Sequence, residues 1–246
     1  MDRLLYIAMN GAKHSLYQQA VTSHNLANVS TNGYKAQNGA FRALPVFGPG
    51  EATRTFVVDS TPTANLSSGV LRTTGRPLDV AIQGSGWIAV QDAKGKEAYT
   101  RNGSLQMTSS GLLITSNGQT VVGQDGPITV PADSEINIGK DGTISVITNN
   151  QYNAAVTIGR IKLVSPPDAN MVRGDDGLFR QSNGQAAQAD AGVNLAAGVL
   201  ESSNVSAVDA LIGIIDQSRF FDMQIKLMQT ADENANRASQ VMSLTS

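Results

Sequence analysis

The chain has 246 residues, enough to bury a substantial core in one or two domains. Charged residues make up 15 %, against the usual quarter or so, and the formal net charge is −2 with Lys and Arg scattered. No basic stripe is present to neutralise phosphates, no apolar run reaches the roughly 18–20 residues of a membrane span, and the absence of cysteine excludes disulfides and thiolate sites.

Sparse surface charge gives little electrostatic protection against self-association, which suits a surface buried against neighbours. The apolar part of residues 1–10 is too short for a signal peptide, and no small-residue cleavage site follows it.

A first helix is expected over about 3–29. Leu5, Met9, Ala12, Leu16, Gln19, Ser23 and Leu26 recur at alternating steps of four and three, the 3.5-residue repeat of a coiled-coil seam. Gly33 suits a left-handed C-terminal cap, closing an N-terminal element of 1–33. Tyr34 and Lys35, just beyond it, are placed either against neighbouring subunits or in solvent. Residues 34–76 read as an extended connector, with Gly48-Pro49-Gly50, Thr61-Pro62-Thr63 and some strand near 54–58.

From 77 to 190 turn signals recur at short intervals: Gly84-Ser85-Gly86, Lys94-Gly95, Asn102-Gly103, Ser110-Gly111, Asn117-Gly118, Asp125-Gly126 and Asp141-Gly142. Strand-like pieces lie between them, at 80–82, 87–90, 112–115, 120–122, 128–130, 143–147 and 158–164, so this is an all-β module. Trp87, the single tryptophan, is expected in its core. Residues 191–205 return the chain to a last helix within 206–246, with Ser206 as N-cap and Asp209 three residues on. Ile214, Ser218, Phe221, Ile225, Met228, Asp232, Ala235, Ser239 and Met242 again follow steps of four and three. Val208, Leu211, Ile212 and Ile215 form a second row. At about 37 residues this helix is roughly 55 Å long.

The fold class is therefore α+β, with two long antiparallel, coiled-coil-like terminal helices around a β module. The small and polar seam residues bury little area against one partner, so the helices are expected to order when many copies pack together. The alternative is a compact monomer whose helices pack on the module.

Catalysis finds no constellation. His14 and His24 stand ten apart on one helix, Gly84-Ser85-Gly86 lacks the spacing of a nucleophile elbow, and neither Gly95-Lys96 nor Gly139-Lys140 completes a phosphate loop. No cofactor or metal is expected. Arg173-Gly174-Asp175 spells an adhesion tripeptide, which keeps open a secreted β-rich adhesin; that reading leaves the heptad rows at both ends unexplained.

Asn25-Leu26-Ala27-Asn28-Val29-Ser30-Thr31-Asn32-Gly33-Tyr34-Lys35 resembles the N-terminal signature of flagellar rod, hook and hook-associated proteins. Thr74-Gly75-Arg76-Pro77-Leu78-Asp79-Val80-Ala81-Ile82-Gln83-Gly84-Ser85-Gly86-Trp87 resembles the entry into their β domain. Tyr99-Thr100-Arg101-Asn102-Gly103-Ser104 and Gly198-Val199-Leu200-Glu201-Ser202-Ser203-Asn204-Val205 are similar to two further family segments. Arg42-Ala43-Leu44-Pro45-Val46 and Arg173-Gly174-Asp175-Asp176-Gly177-Leu178-Phe179 look most like the proximal-rod branch, with the distal-rod branch as alternative. The hook protein is usually longer.

The resemblance implies a structural subunit of the basal-body rod, assembling with itself and with proximal and distal rod subunits. It implies passage through the flagellar type III export apparatus and residence in the basal body, in the periplasm. The helices would line the channel and the module would form an outer layer. The assembly interface is placed at Leu5, Met9, Ala12, Leu16, Leu26, Ile214, Phe221, Ile225, Met228, Ala235 and Met242. Charged substitution at Leu16, Phe221 or Ile225 is expected to abolish assembly with the module still folded.

Overall fold

The computed structural model describes residues 3–45, 55–59, 63–131, 134–148 and 155–244. It has the expected α+β make-up: helix α1 at Arg3–Ala27, helix α2 at Ala207–Leu244, and strands between them. The chain divides into two compact units. A helical unit gathers residues 1–27, 37–63 and 206–246, and a β unit gathers 28–36 and 64–205. The segment 34–76, expected as a connector, is shared between them.

In the helical unit, Phe41–Pro45 pairs antiparallel with Thr55–Asp59, Ala43 lying opposite Val57. A strand near 54–58 was legible in the sequence, whereas its partner was not; Gly48-Pro49-Gly50 lies outside the described residues. The N-cap of α2 forms as expected, with the Asp209 N–H donating to Ser206 Oγ at 3.3 Å. Gly33 is not the cap of α1, which ends six residues earlier at Ala27. It has a positive φ of 68°, but its N–H donates to the Glu201 carbonyl at 2.7 Å within the β unit.

The two helices meet one residue away from the expected rows. A methyl on Gly11 would come 3.0 Å from the Gln224 side chain, and one on Gly213 would come 3.5 Å from Thr22. Ser15 Oγ donates to the Gln217 carbonyl at 2.6 Å, and Gln217 Nε2 donates to Thr22 Oγ1 at 3.1 Å. These contacts descend α2 as they climb α1, so the helices run antiparallel. Gly11, Ser15 and Thr22 face Gly213, Gln217 and Gln224, each one residue before a member of the expected rows, Ala12, Leu16 and Ser23 on α1 and Ile214, Ser218 and Ile225 on α2. One residue is about 100° of helix, enough to turn the bulky row outward. Glycine and small hydroxyls admit the backbone approach that the Ser15 bond requires.

The β unit is antiparallel in every strand pairing described. Its main sheet has nine strands. Trp87–Gln91 lies at the centre, between Glu97–Thr100 and Thr120–Gly123. Ser134–Ile138, Thr143–Thr148 and Val156–Arg160 form a second sheet. Val80–Gln83 pairs with Asn194–Ala197, and Leu71–Thr73 with Val199–Glu201. Alternation puts Ile88, Val90, Leu105, Leu113, Val121 and Ile144 in one apolar cluster, all wholly buried. Trp87 is buried as expected, 4.5 Å ring to ring from Phe179.

The turn signals act by two routes. Gly118 and Gly142 take φ of 83° and 86°, the left-handed backbone a tight turn needs. Gly103 does not; there a methyl would stand 1.7 Å from the Val80 carbonyl, so close approach dictates the glycine.

Candidate assembly interface

The helical unit carries apolar rows with nothing of its own over them. On α2, Val208, Leu211, Ile212 and Ile215 are exposed, Val208 by 65 %, and Phe220, Met223 and Leu227 continue the band. On α1, Tyr6, Met9 and Leu16 are exposed, the last two by 54 % and 50 %. What the unit buries is small: Ala8, Ala12, Ser15, Val21, His14, Ala210 and Ala231. Among the described residues both apolar core clusters lie in the β unit.

The expected interface residues divide accordingly. Met9, Leu16 and Ala235 are exposed, and Leu5, Leu26, Ile214, Phe221, Ile225 and Met228 are half-buried. Ala12 is buried within the unit. The Met242 side chain lies outside the described residues. The most exposed large residues of α2 were read from sequence as a thickening of the stripe, and they carry the open face themselves. The signal that finds them is the unbroken apolar character of Val208, Leu211, Ile212 and Ile215, more than the strict heptad.

The hairpin Phe41–Pro45/Thr55–Asp59 is attached to α1 through main chain. Asn10 Nδ2 and His14 Nε2 both donate to the Val57 carbonyl, at 3.0 and 2.7 Å, so Nε2 carries the proton. Phe41 meets the edges of His14 and Tyr17, with centroids 5.4 and 6.4 Å apart. His14 is thus a packed, hydrogen-bonded residue. Among the described residues no group of three or more His, Asp or Glu could hold a metal ion, and no helix is long and apolar enough to cross a membrane.

The signature residues shape the chain more than they face outward. Asn25 mimics a backbone: its Nδ2 donates to the Gln37 carbonyl and its Oδ1 accepts the Gln37 N–H, both at 2.8 Å. Leu26 is half-buried and Ala27 exposed, and Asn28 accepts the Thr31 N–H in the turn leaving α1. Arg76 Nε donates to Asp79 Oδ1 at 3.0 Å and its Nη2 to the Leu105 carbonyl at 2.7 Å. Asp79 also accepts Thr74 Oγ1 at 2.7 Å, so the Arg76-Pro77-Leu78-Asp79 run is a pinned turn with Leu78 against the core. Gly84 turns at φ 86°, and its carbonyl accepts Arg101 Nη2 at 2.9 Å. Gly86, at φ 134°, leaves room for Val193.

Tyr34 and Lys35 are neither a contact for neighbours nor solvated. Both are buried, and Lys35 Nζ reaches Glu201 Oε1 at 2.6 Å and the Ser67 carbonyl at 2.8 Å. Arg101 Nη1 takes the other oxygen of Glu201 at 3.2 Å. Burial lowers the Lys35 pKa, and the hydrogen bond and charge of Glu201 oppose that. The adhesion tripeptide is used internally as well, because Arg173 lies 4.6 Å over the Tyr34 ring and donates to the Lys35 carbonyl at 3.0 Å. Sequence reasoning missed this cluster, as its partners are separated by up to 166 residues.

Three family models match in chain order. They are Flagella basal body rod protein over residues 5–35, Flagellar hook protein FlgE/F/G D1 domain over 81–146, and Flagellar basal body rod FlgEFG protein C-terminal over 196–241. The chain is 47 % identical to the flagellar basal-body rod proteins FlgF of Escherichia coli and Salmonella typhimurium, with 100 % of each chain covered. It is 30 % identical to the flagellar basal-body rod protein FlgG of Buchnera aphidicola subsp. Acyrthosiphon pisum, covering 96 % of this chain and 98 % of that one.

Proposed function

The chain belongs to the flagellar basal-body rod family, and we propose that its helical unit is the part that builds the rod. It is a structural subunit of the flagellar basal body and not an enzyme. A 47 % identity to FlgF relatives against 30 % to an FlgG relative favours the proximal rod over the distal rod.

The observation that carries the proposal is the pairing of an open apolar face with an almost coreless unit. Leu16 on α1 and Leu211, Ile215 and Met223 on α2 offer large side chains that the single chain leaves in water. Covering the half of each that is still exposed is worth on the order of 1 kcal/mol. Repeated around a helical array, such contacts fix the helices and pass torque from subunit to subunit. The neighbours are further copies and other rod subunits. Before assembly the chain travels through the flagellar type III export apparatus, for which a weakly cored helical unit is apt, and it assembles in the periplasm around the export channel.

Leu16→Asp and Ile215→Asp are expected to leave the purified chain folded and to abolish its incorporation into basal bodies. Normal basal bodies in a strain carrying either variant would defeat the proposal. Backbone amides of 4–29 and 208–242 should exchange fast in the isolated chain and slowly in basal bodies.

A further inference from the structure

We propose that Glu201 is the closing element of an electrostatic latch, and that residues 28–36 and 64–73 stay unlatched from the rest of the β unit until this carboxylate arrives. Three separated stretches of chain converge on it, at 33–35, 69 and 101. Oε1 accepts Lys35 Nζ at 2.6 Å and the Gly69 N–H at 2.9 Å, Oε2 accepts Arg101 Nη1 at 3.2 Å, and the main-chain oxygen accepts the Gly33 N–H at 2.7 Å. The side chains of Lys35, Arg101 and Glu201 are 0 %, 4 % and 1 % exposed.

The physics lies in the count of charges. Two cations and one anion are withdrawn from water together, and among the described residues Glu201 is the carboxylate paired with both. Remove it, and two buried like charges lose the carboxylate that pairs with both, an arrangement that favours opening over closure. Arg101 is already undersatisfied, since its Nε has no hydrogen-bond partner among the described residues. The cations precede their anion by 166 and 100 residues, so any chain that emerges amino end first holds both cations well before the anion.

The same late segment supplies the other fastenings. Val199–Glu201 is the strand that pairs with Leu71–Thr73. Asn204 Nδ2 donates to the carbonyls of Asn65 and Ser67, and its Oδ1 accepts the Ala36 N–H at 2.7 Å. Gly69 passes so close to Ser202 that a methyl would stand 1.9 Å from the Ser202 carbonyl. The latch therefore makes completion of the unit conditional on arrival of residues 199–204, whatever the assembled chain goes on to do.

The test uses full-length protein and trypsin cleavage after Arg72, whose strand lies open or closed with the latch. In Glu201→Ala, cleavage there is expected to accelerate on the order of a hundredfold, while the amides of Val90 and Leu113 keep their exchange protection. A chain carrying Lys35→Met, Arg101→Met and Glu201→Leu together has no buried charge to compensate and should return toward the wild-type rate. Wild-type cleavage in Glu201→Ala would overturn the proposal. So would a triple variant cut as fast as Glu201→Ala, because lost packing would then account for the opening. If Glu201→Ala yields no folded protein, the triple variant decides alone: a protected Arg72 upholds the latch, and an unprotected one removes it.

Discussion

In the β unit Ile88, Leu105, Leu113 and Ile144 lie wholly out of water, whereas the residues the helical unit hides are chiefly Ala8, Ala12, Ser15 and Ala231. The contrast follows from period and residue size. Strand alternation sends every second large side chain into one shared cluster. On the helices the large side chains stand about 100° from the seam, and the seam contacts are made by glycine, hydroxyls and glutamine. One unit thus buries its large apolar residues within a single chain, and the other leaves its largest ones in water.

Substitutions can break or sharpen that contrast. The largest effect belongs to the β core: Leu105→Ala should cost about 2–5 kcal/mol, read as a shift in denaturant midpoint. A loss below about 1 kcal/mol would mean the cluster is looser than its burial states. Next comes Gly103→Ala, where the new methyl collides with the Val80 carbonyl; about 1–3 kcal/mol is expected, and more than for Gly118→Ala, whose methyl meets open space.

A pH scan addresses the same unit. Burial pushes the Tyr99 hydroxyl up to about 12 from 10.0, with the Ala187 N–H accepted and Glu97 bonded in return. The folded state thus holds this proton more tightly than the unfolded chain. Its stabilising share is intact below pH 10 and disappears as pH rises through about 12. Denaturant midpoints should fall across that window, and Tyr99→Phe should flatten the fall; an unchanged slope in the variant would contradict this. The smallest stability effect belongs to the helical face, where Leu211→Ser should change monomer stability by no more than about 0.5 kcal/mol. A clear drop would show that Leu211 is packed within the chain and not reserved for a neighbour.

Much of the architecture was legible in the sequence, and for identifiable reasons. Ser206 announced α2 because an N-cap is a local event, and Asn117-Gly118 and Asp141-Gly142 announced turns because left-handed backbone demands glycine. Trp87 read as core from its place at the head of an apolar strand. Harder to read was anything decided by partners far along the chain. The helix contacts slipped by one residue, because apolar periodicity finds the greasiest row while small residues and hydroxyls chose the closest one. Phe41–Pro45 escaped notice because its partner strand stands across a Gly-Pro-Gly run. Lys35 looked like a surface residue since lysine usually is one, and only Glu201, 166 residues later, keeps it inside. Of the candidate interface, the segments were visible in sequence, and the direction each face points was not.

The grip of α1 on the hairpin has one more consequence. Asn10 and His14 hold a carbonyl oxygen at Val57, an atom that every amino acid supplies, so the attachment is indifferent to which side chains the hairpin displays. Leu44 and Val58, which point partly outward, can be exchanged to suit a different neighbour while the ribbon stays moored in place. A mounting that ignores identity lets the displayed surface diversify between relatives with no redesign of its base.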